Sequence, residues 1–79
     1  MIEASERARM LKAHSIGPRM IAYLEEIGVT RLEDLAGADA EEIAMRIDTT
    51  LGRSRRLNRL GVQALRNLIE LANREGGQG

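Results

Sequence analysis

The sequence predicts an all-α protein, a single bundle of five helices, on three observations. Apolar residues recur at helical spacing, as in Ile21, Leu24 and Ile27, and again in Leu57, Leu60, Ala64, Leu65, Leu68, Leu71 and Ala72; each set falls on one face of a helix. The stretches so spaced are bounded by residues that start or stop helices: Pro18, Thr30, Asp39 and Ser54 ahead of them, Gly28, Gly37 and Gly52 behind. The apolar set is almost wholly aliphatic, with Tyr23 the only aromatic residue, which suits helices packed on helices.

Taken in order, Ser5 is placed to cap a first helix over residues 6–14, with Ala8, Met10, Leu11 and Ile2 on its buried side. A tight turn follows at Ser15-Ile16-Gly17, and Pro18 then opens a second helix over residues 18–27. Proline fits the first helical position, where its missing N–H would have no partner and its fixed φ is already helical. Gly28 is suited to the left-handed conformation that closes a helix, with Val29 packing back on the last turn. Thr30 and Glu33 have the spacing of a capping box for a short helix over residues 31–36, ended by Gly37. Asp39 and Glu42 repeat that spacing ahead of a helix over residues 40–51, which buries Ile43, Ala44, Ile47 and Leu51 and stops at Gly52. Ser54 caps the longest helix, running to Arg74. Residues 1–75 form one domain on this reading, and 76–79 a disordered tail rich in glycine.

Composition narrows the function. With no cysteine there is neither a disulfide framework nor a thiolate metal site. No apolar run approaches the ~20 residues that cross a bilayer, and the first residues lack a secretory pattern, so no membrane association and a cytoplasmic location are expected. Net charge is zero, but the charge is segregated. Residues 21–48 hold eight acids against Arg31 and Arg46, leaving −6; residues 53–66 carry five arginines and no acid; residues 1–20 carry +2.

The run Ser15-Ile16-Gly17-Pro18-Arg19, with Leu24 further along, resembles the helix-hairpin-helix motif of nucleic-acid-binding proteins. That motif reads apolar-Gly-apolar-Gly, often followed by Pro-Lys. Ile16-Gly17 fills its second half, Pro18-Arg19 stands where Pro-Lys is usual, and Leu24 matches the motif leucine. Ser15 replaces the first glycine and Ile21 the usual alanine. The downstream residues from Gly28 to Ile43 and the final helix extend the likeness to residues 11–73. Over that span the chain is similar to the small bacterial Cdd1 (pathogenicity locus) proteins and to the C-terminal domain of TfoX-type competence regulators. The resemblance implies a SAM-like fold and hairpin amides that hold a phosphate of the nucleic-acid backbone without reading bases. The donors it implies are the amides around Ser15, Ile16, Gly17, Arg19 and Met20, with Lys12 and Arg19 adding charge.

The residues allow that reading and a plainer one. A helix N-terminus reached by a tight turn offers unpaired N–H groups and a favourable dipole to an anion; the same Gly-Pro also makes a compact helix connection. Arg55, Arg56 and Arg59 cluster at helical spacing, either as a second phosphate contact or as a solvated face paired with the acidic middle. Leu60-Gly61 with Leu65 and Leu68 echoes Ile16-Gly17 with Ile21 and Leu24, but the unbroken stripe favours a continuous helix over a second hairpin. His14 is the only histidine, and neither a metal site nor a cofactor is expected. The acidic doublets face different directions on their helices and suit caps and surfaces better than acid–base catalysis.

The expectation is therefore a non-catalytic, sequence-independent DNA-binding module that holds the phosphate backbone through hairpin amides and the Arg55/Arg56/Arg59 cluster. The alternative is a protein–protein interaction module of the same fold, a SAM-like adaptor or a homodimer. A small enzyme is the poorest reading, for want of convergent catalytic groups.

Overall fold

A computed structural model describes residues 2–52 and 59–75. Within them the chain forms four α-helices and one 3₁₀ helix, with no strand: α1 (Ala4–Met10), α2 (Pro18–Glu26), the 3₁₀ helix (Leu32–Leu35), α3 (Ala40–Leu51) and α4 (Arg59–Glu75). The class is all-α and the arrangement a four-helix bundle, with the expected short fifth helix reduced to a single 3₁₀ turn. The Cα radius of gyration, 11.5 Å, matches the roughly 12 Å of a folded chain this long.

The core is the sum of one face from each element. Met10 of α1, Ile21 and Leu24 of α2, Leu32 and Leu35 of the 3₁₀ helix, Ile47 of α3, and Leu65 and Leu68 of α4 are all fully buried. No polar or charged residue joins them among the described residues. Such a core acts mainly through apolar area removed from water.

Where local chemistry decides, the elements end as expected. Gly28 sits at φ 93°, the Gly28 N–H donates to the Glu25 carbonyl (3.1 Å), and the Val29 N–H to that of Leu24 (3.0 Å). Those two bonds form the Schellman closure, with buried Val29 beside buried Leu24. The Asp39 side chain accepts from the Glu41 N–H (2.9 Å), and α3 runs over the expected residues to a left-handed Gly52.

Three expectations are corrected. The first helix is α1, not residues 6–14; its N-cap is Glu3 without a side-chain cap, so Ser5 does not start it. Burial of Ile2 fixes this frame, and it leaves Ala8 and Leu11 exposed while Ala13 turns inward. Two bonds to residues distant in sequence hold the segment down: Glu25 accepts from the Ile2 N–H (2.9 Å), and Glu6 of α1 accepts from the Leu32 N–H (2.9 Å). Second, the N-cap of the 3₁₀ helix is Arg31, not Thr30, and Asp34, not Glu33, is the residue three positions on that closes the box. Its carboxylate accepts from the N–H groups of Thr30 and Arg31 and from the Thr30 hydroxyl, the ordinary capping-box spacing displaced by one residue because the helix starts one residue later. Third, Leu60 is not buried; it is 77% exposed. The fully buried face of α4 begins at Ala64, with Val62 half-buried against the core and Leu60 turned off that face. Helix α4 runs unbroken through Gly61. Ser54, Leu57 and residues 76–79 lie outside the described residues.

Candidate functional site

The corner between α1 and α2 is a four-residue turn, Ala13-His14-Ser15-Ile16, closed by the Ile16 N–H donating to the Ala13 carbonyl (3.3 Å). Its third residue, Ser15, stands at φ 70°, the one non-glycine residue with positive φ among those described. A type II turn demands that conformation at its third position and usually finds it in glycine. Serine thus stands where the helix-hairpin-helix pattern has glycine, and it adopts the glycine-like backbone shape. Ala13 and Ile16 are buried and root the turn in the core. Helix α4 holds it from the other side: the Asn67 side-chain amide donates to the His14 carbonyl (3.0 Å) and itself accepts from Gln63 (3.1 Å). Nothing local in the sequence marks Asn67 as a hairpin anchor, so sequence reasoning missed it.

Gly17 is the N-cap of α2, extended at φ −125° and ψ 179°, and no side chain caps the helix start. The Gly17 carbonyl accepts the first helical bond, from the Ile21 N–H (3.3 Å). Pro18 has no N–H to offer. That leaves the N–H groups of Ser15, Gly17, Arg19 and Met20 without an acceptor among the described residues. Ile16 is different: its amide is spent on Ala13 and its side chain is in the core. The Met20 side chain is also buried, so this residue offers only its main chain. A Cβ built on Gly17 meets no atom within 4 Å, so this side of the corner is open.

The charge around the corner favours an anion. Lys12 and Arg19 are exposed and make no ion pair among the described residues, and the first turn of α2 holds no acid. The start of α3 is the opposite case, filled by the Asp39 side chain with Glu41 and Glu42 in its first turn. An N-terminus carries about half a positive charge; α3 neutralises its own, and α2 does not.

The second expected contact is partly on view. Arg55 and Arg56 lie outside the described residues, whereas Arg59 begins α4, exposed and without an ion pair among the described residues. Further along, Arg66 pairs with Glu41 of α3 at 3.4 Å, so the basic and acidic segments do meet within the chain at one point. The acidic segment meets the first residues of the chain as well. Glu25 also faces Arg7 (3.8 Å), and the Asp34 carboxyl is held below the usual carboxylate range, first by the Thr30 backbone N–H and also by the Arg31 N–H and the Thr30 hydroxyl. Among the described residues no group of three His, Asp or Glu side chains converges as metal ligands. No helix of the described residues is long and apolar enough to cross a membrane.

No family model, curated protein or solved structure matches this chain. The geometry of the corner therefore carries the functional reading by itself.

Proposed function

We propose that the chain is a non-catalytic module that binds the DNA phosphate backbone without reading sequence, built as a five-element, SAM-like helix-hairpin-helix domain. One observation carries this reading: the start of α2 presents unclaimed N–H groups at Gly17, Arg19 and Met20 beside an open side, and the protein supplies no cap of its own. Unpaired donors at a helix N-terminus, aligned with its dipole, suit a phosphate oxygen. Lys12 and Arg19 neighbour the donors in sequence and are exposed, and Arg59 is a further exposed cation at the start of α4. Contacts of this kind position a protein on the backbone and carry no base information.

Zero net charge makes the expected affinity weak, in the range of about 10⁻⁴ to 10⁻⁶ M typical of non-specific binding. The test is a fluorescence-anisotropy titration with random-sequence duplex at low and high salt. Three neutralised phosphates give a loss of about 500-fold for a tenfold rise in salt. Loss of binding in Lys12→Glu/Arg19→Glu and in Arg55→Glu/Arg59→Glu supports the reading. Absence of binding at low salt, or binding indifferent to both pairs of substitutions, contradicts it.

A further inference from the structure

Helix α4 reaches the hairpin through one hydrogen-bonded side chain. Half-buried Asn67 donates to the His14 carbonyl (3.0 Å), and the Gln63 amide one turn earlier donates to the Asn67 side-chain oxygen (3.1 Å). Gln63 thereby settles which end of the Asn67 amide faces the turn: the oxygen is occupied, and the nitrogen is left for His14. The carbonyl it holds belongs to the central peptide of the Ala13–Ile16 turn, the one that joins His14 to Ser15.

That peptide has two settings. Type I and type II turns share their end residues and their closing bond. They differ by a flip of the central peptide, with ψ of the second residue at about −30° in the first and about +120° in the second. Here the ends are the buried Ala13 and Ile16, joined by the closing bond (3.3 Å), so a flip leaves the core in place. Left to itself Ser15 favours type I, in which its φ is negative. The observed 70° is a conformation that glycine adopts freely and serine does not. The bond from Asn67 supplies the preference that serine lacks.

We infer that Asn67 is a positioning residue for the phosphate corner: by holding the His14 carbonyl toward α4, it keeps the Ser15 N–H turned the other way, as a phosphate donor two residues before Gly17. A trans peptide points its C=O and N–H in opposite directions, so one contact fixes both. Ser15 is exposed, and its N–H has no acceptor among the described residues. A flipped peptide would take that donor away and put a carbonyl oxygen, an acceptor only, in its place. The donor role rests on the phosphate reading of the corner, whereas the setting of the turn can be read without any ligand.

Asn67→Ala tests this in two arms, and alanine within a helix leaves α4 intact. Without DNA, nuclear Overhauser contacts report the turn. The parent should show a strong contact between the His14 Hα and the Ser15 amide proton; the variant should exchange it for one between the His14 and Ser15 amide protons, as ψ of His14 changes. With random duplex, anisotropy should show affinity down by about tenfold or more, the effect of losing one charge-assisted donor. Adding Ser15→Gly to Asn67→Ala supplies a residue suited to the left-handed conformation. It should restore the parent's contact pattern, and its affinity to within about threefold, roughly 0.7 kcal/mol. A loss of stability alone would not be mended this way, since glycine adds freedom to the unfolded chain. An unflipped turn in Asn67→Ala, unaltered affinity once the turn has flipped, or a double variant as weak as the single one overturns the inference. A parent that binds no duplex overturns the phosphate reading and the donor role together, while the proton contacts still decide the setting of the turn.

Discussion

Replacing Gly17 by alanine separates a glycine needed by the fold from one needed by a ligand. At φ −125° and ψ 179° the backbone is extended, a shape open to any L residue, and the added methyl meets nothing within 4 Å. Alanine is a poorer N-cap than glycine by up to about 1 kcal/mol. It also narrows the unfolded ensemble, which returns about 0.4–1 kcal/mol. The net effect on stability is within about 0.5 kcal/mol, a shift in Tm of less than about 4 °C for a domain this size. Binding responds differently. If a phosphate approaches from the open side, the methyl keeps it from the Gly17 and Arg19 donors, and losing one charge-assisted hydrogen bond costs about 1.5–3 kcal/mol. Thermal unfolding and duplex anisotropy on the same Gly17→Ala preparation should therefore diverge, with Tm nearly constant and affinity down by about 10-fold to 100-fold. A folded variant that binds as tightly as the parent would refute the assignment of this corner. A Tm loss of 10 °C or more, beyond what about 1 kcal/mol explains, would show that the fold itself needs the glycine.

Ser15→Gly should be slightly stabilising, by about 0.5 kcal/mol, because relief of about 1–2 kcal/mol of left-handed strain exceeds the added backbone freedom of about 0.5–1 kcal/mol; chemical denaturation checks this, and DNA affinity should not fall. Asp34→Ala should cost about 1 kcal/mol at neutral pH, the usual worth of a helix cap. The folded Asp34 carboxyl titrates below its unfolded value of about 3.9. Its contribution is thus complete above that value and is lost as pH falls through the lower, folded one. Urea titrations across the acid range should show that limb in the parent and not in the variant. Asn67→Asp removes the donor to the His14 carbonyl and should loosen the hairpin; amide exchange at residues 13–16 should speed up by about tenfold if about 1.4 kcal/mol of local stability is lost, while α3 stays protected.

Legibility in the sequence followed the range of the interactions. The boundaries of α2 and the whole of α3 were readable because Pro18, Gly28, Asp39 and Gly52 act through bonds to residues within five positions. The frame of α1 was not, since it depends on carboxylates 23 and 26 residues away in sequence from the amides they bind. Asp34 and Glu33 both have the chemistry of a cap, and a helix start displaced by one residue, from Thr30 to Arg31, selected Asp34. Leu60 continues the apolar stripe of α4 in sequence, yet periodicity does not tell where along a helix full burial begins. At the candidate site the residues from Ser15 to Met20 were legible as a motif. The engagement of the Ile16 amide and the Asn67 anchor depended on the folded turn.

The account stands on the main-chain donors at the mouth of α2, and an amide-resolved NMR titration of the ¹⁵N-labelled chain with a short random duplex reports on them directly. The account predicts that the amide signals of Gly17, Arg19 and Met20 shift first and farthest, with Ile16 moving less because its N–H is already bonded to Ala13, and that added salt reverses the shifts. Shifts that map to α3 or the 3₁₀ helix while these three amides stay still would contradict it.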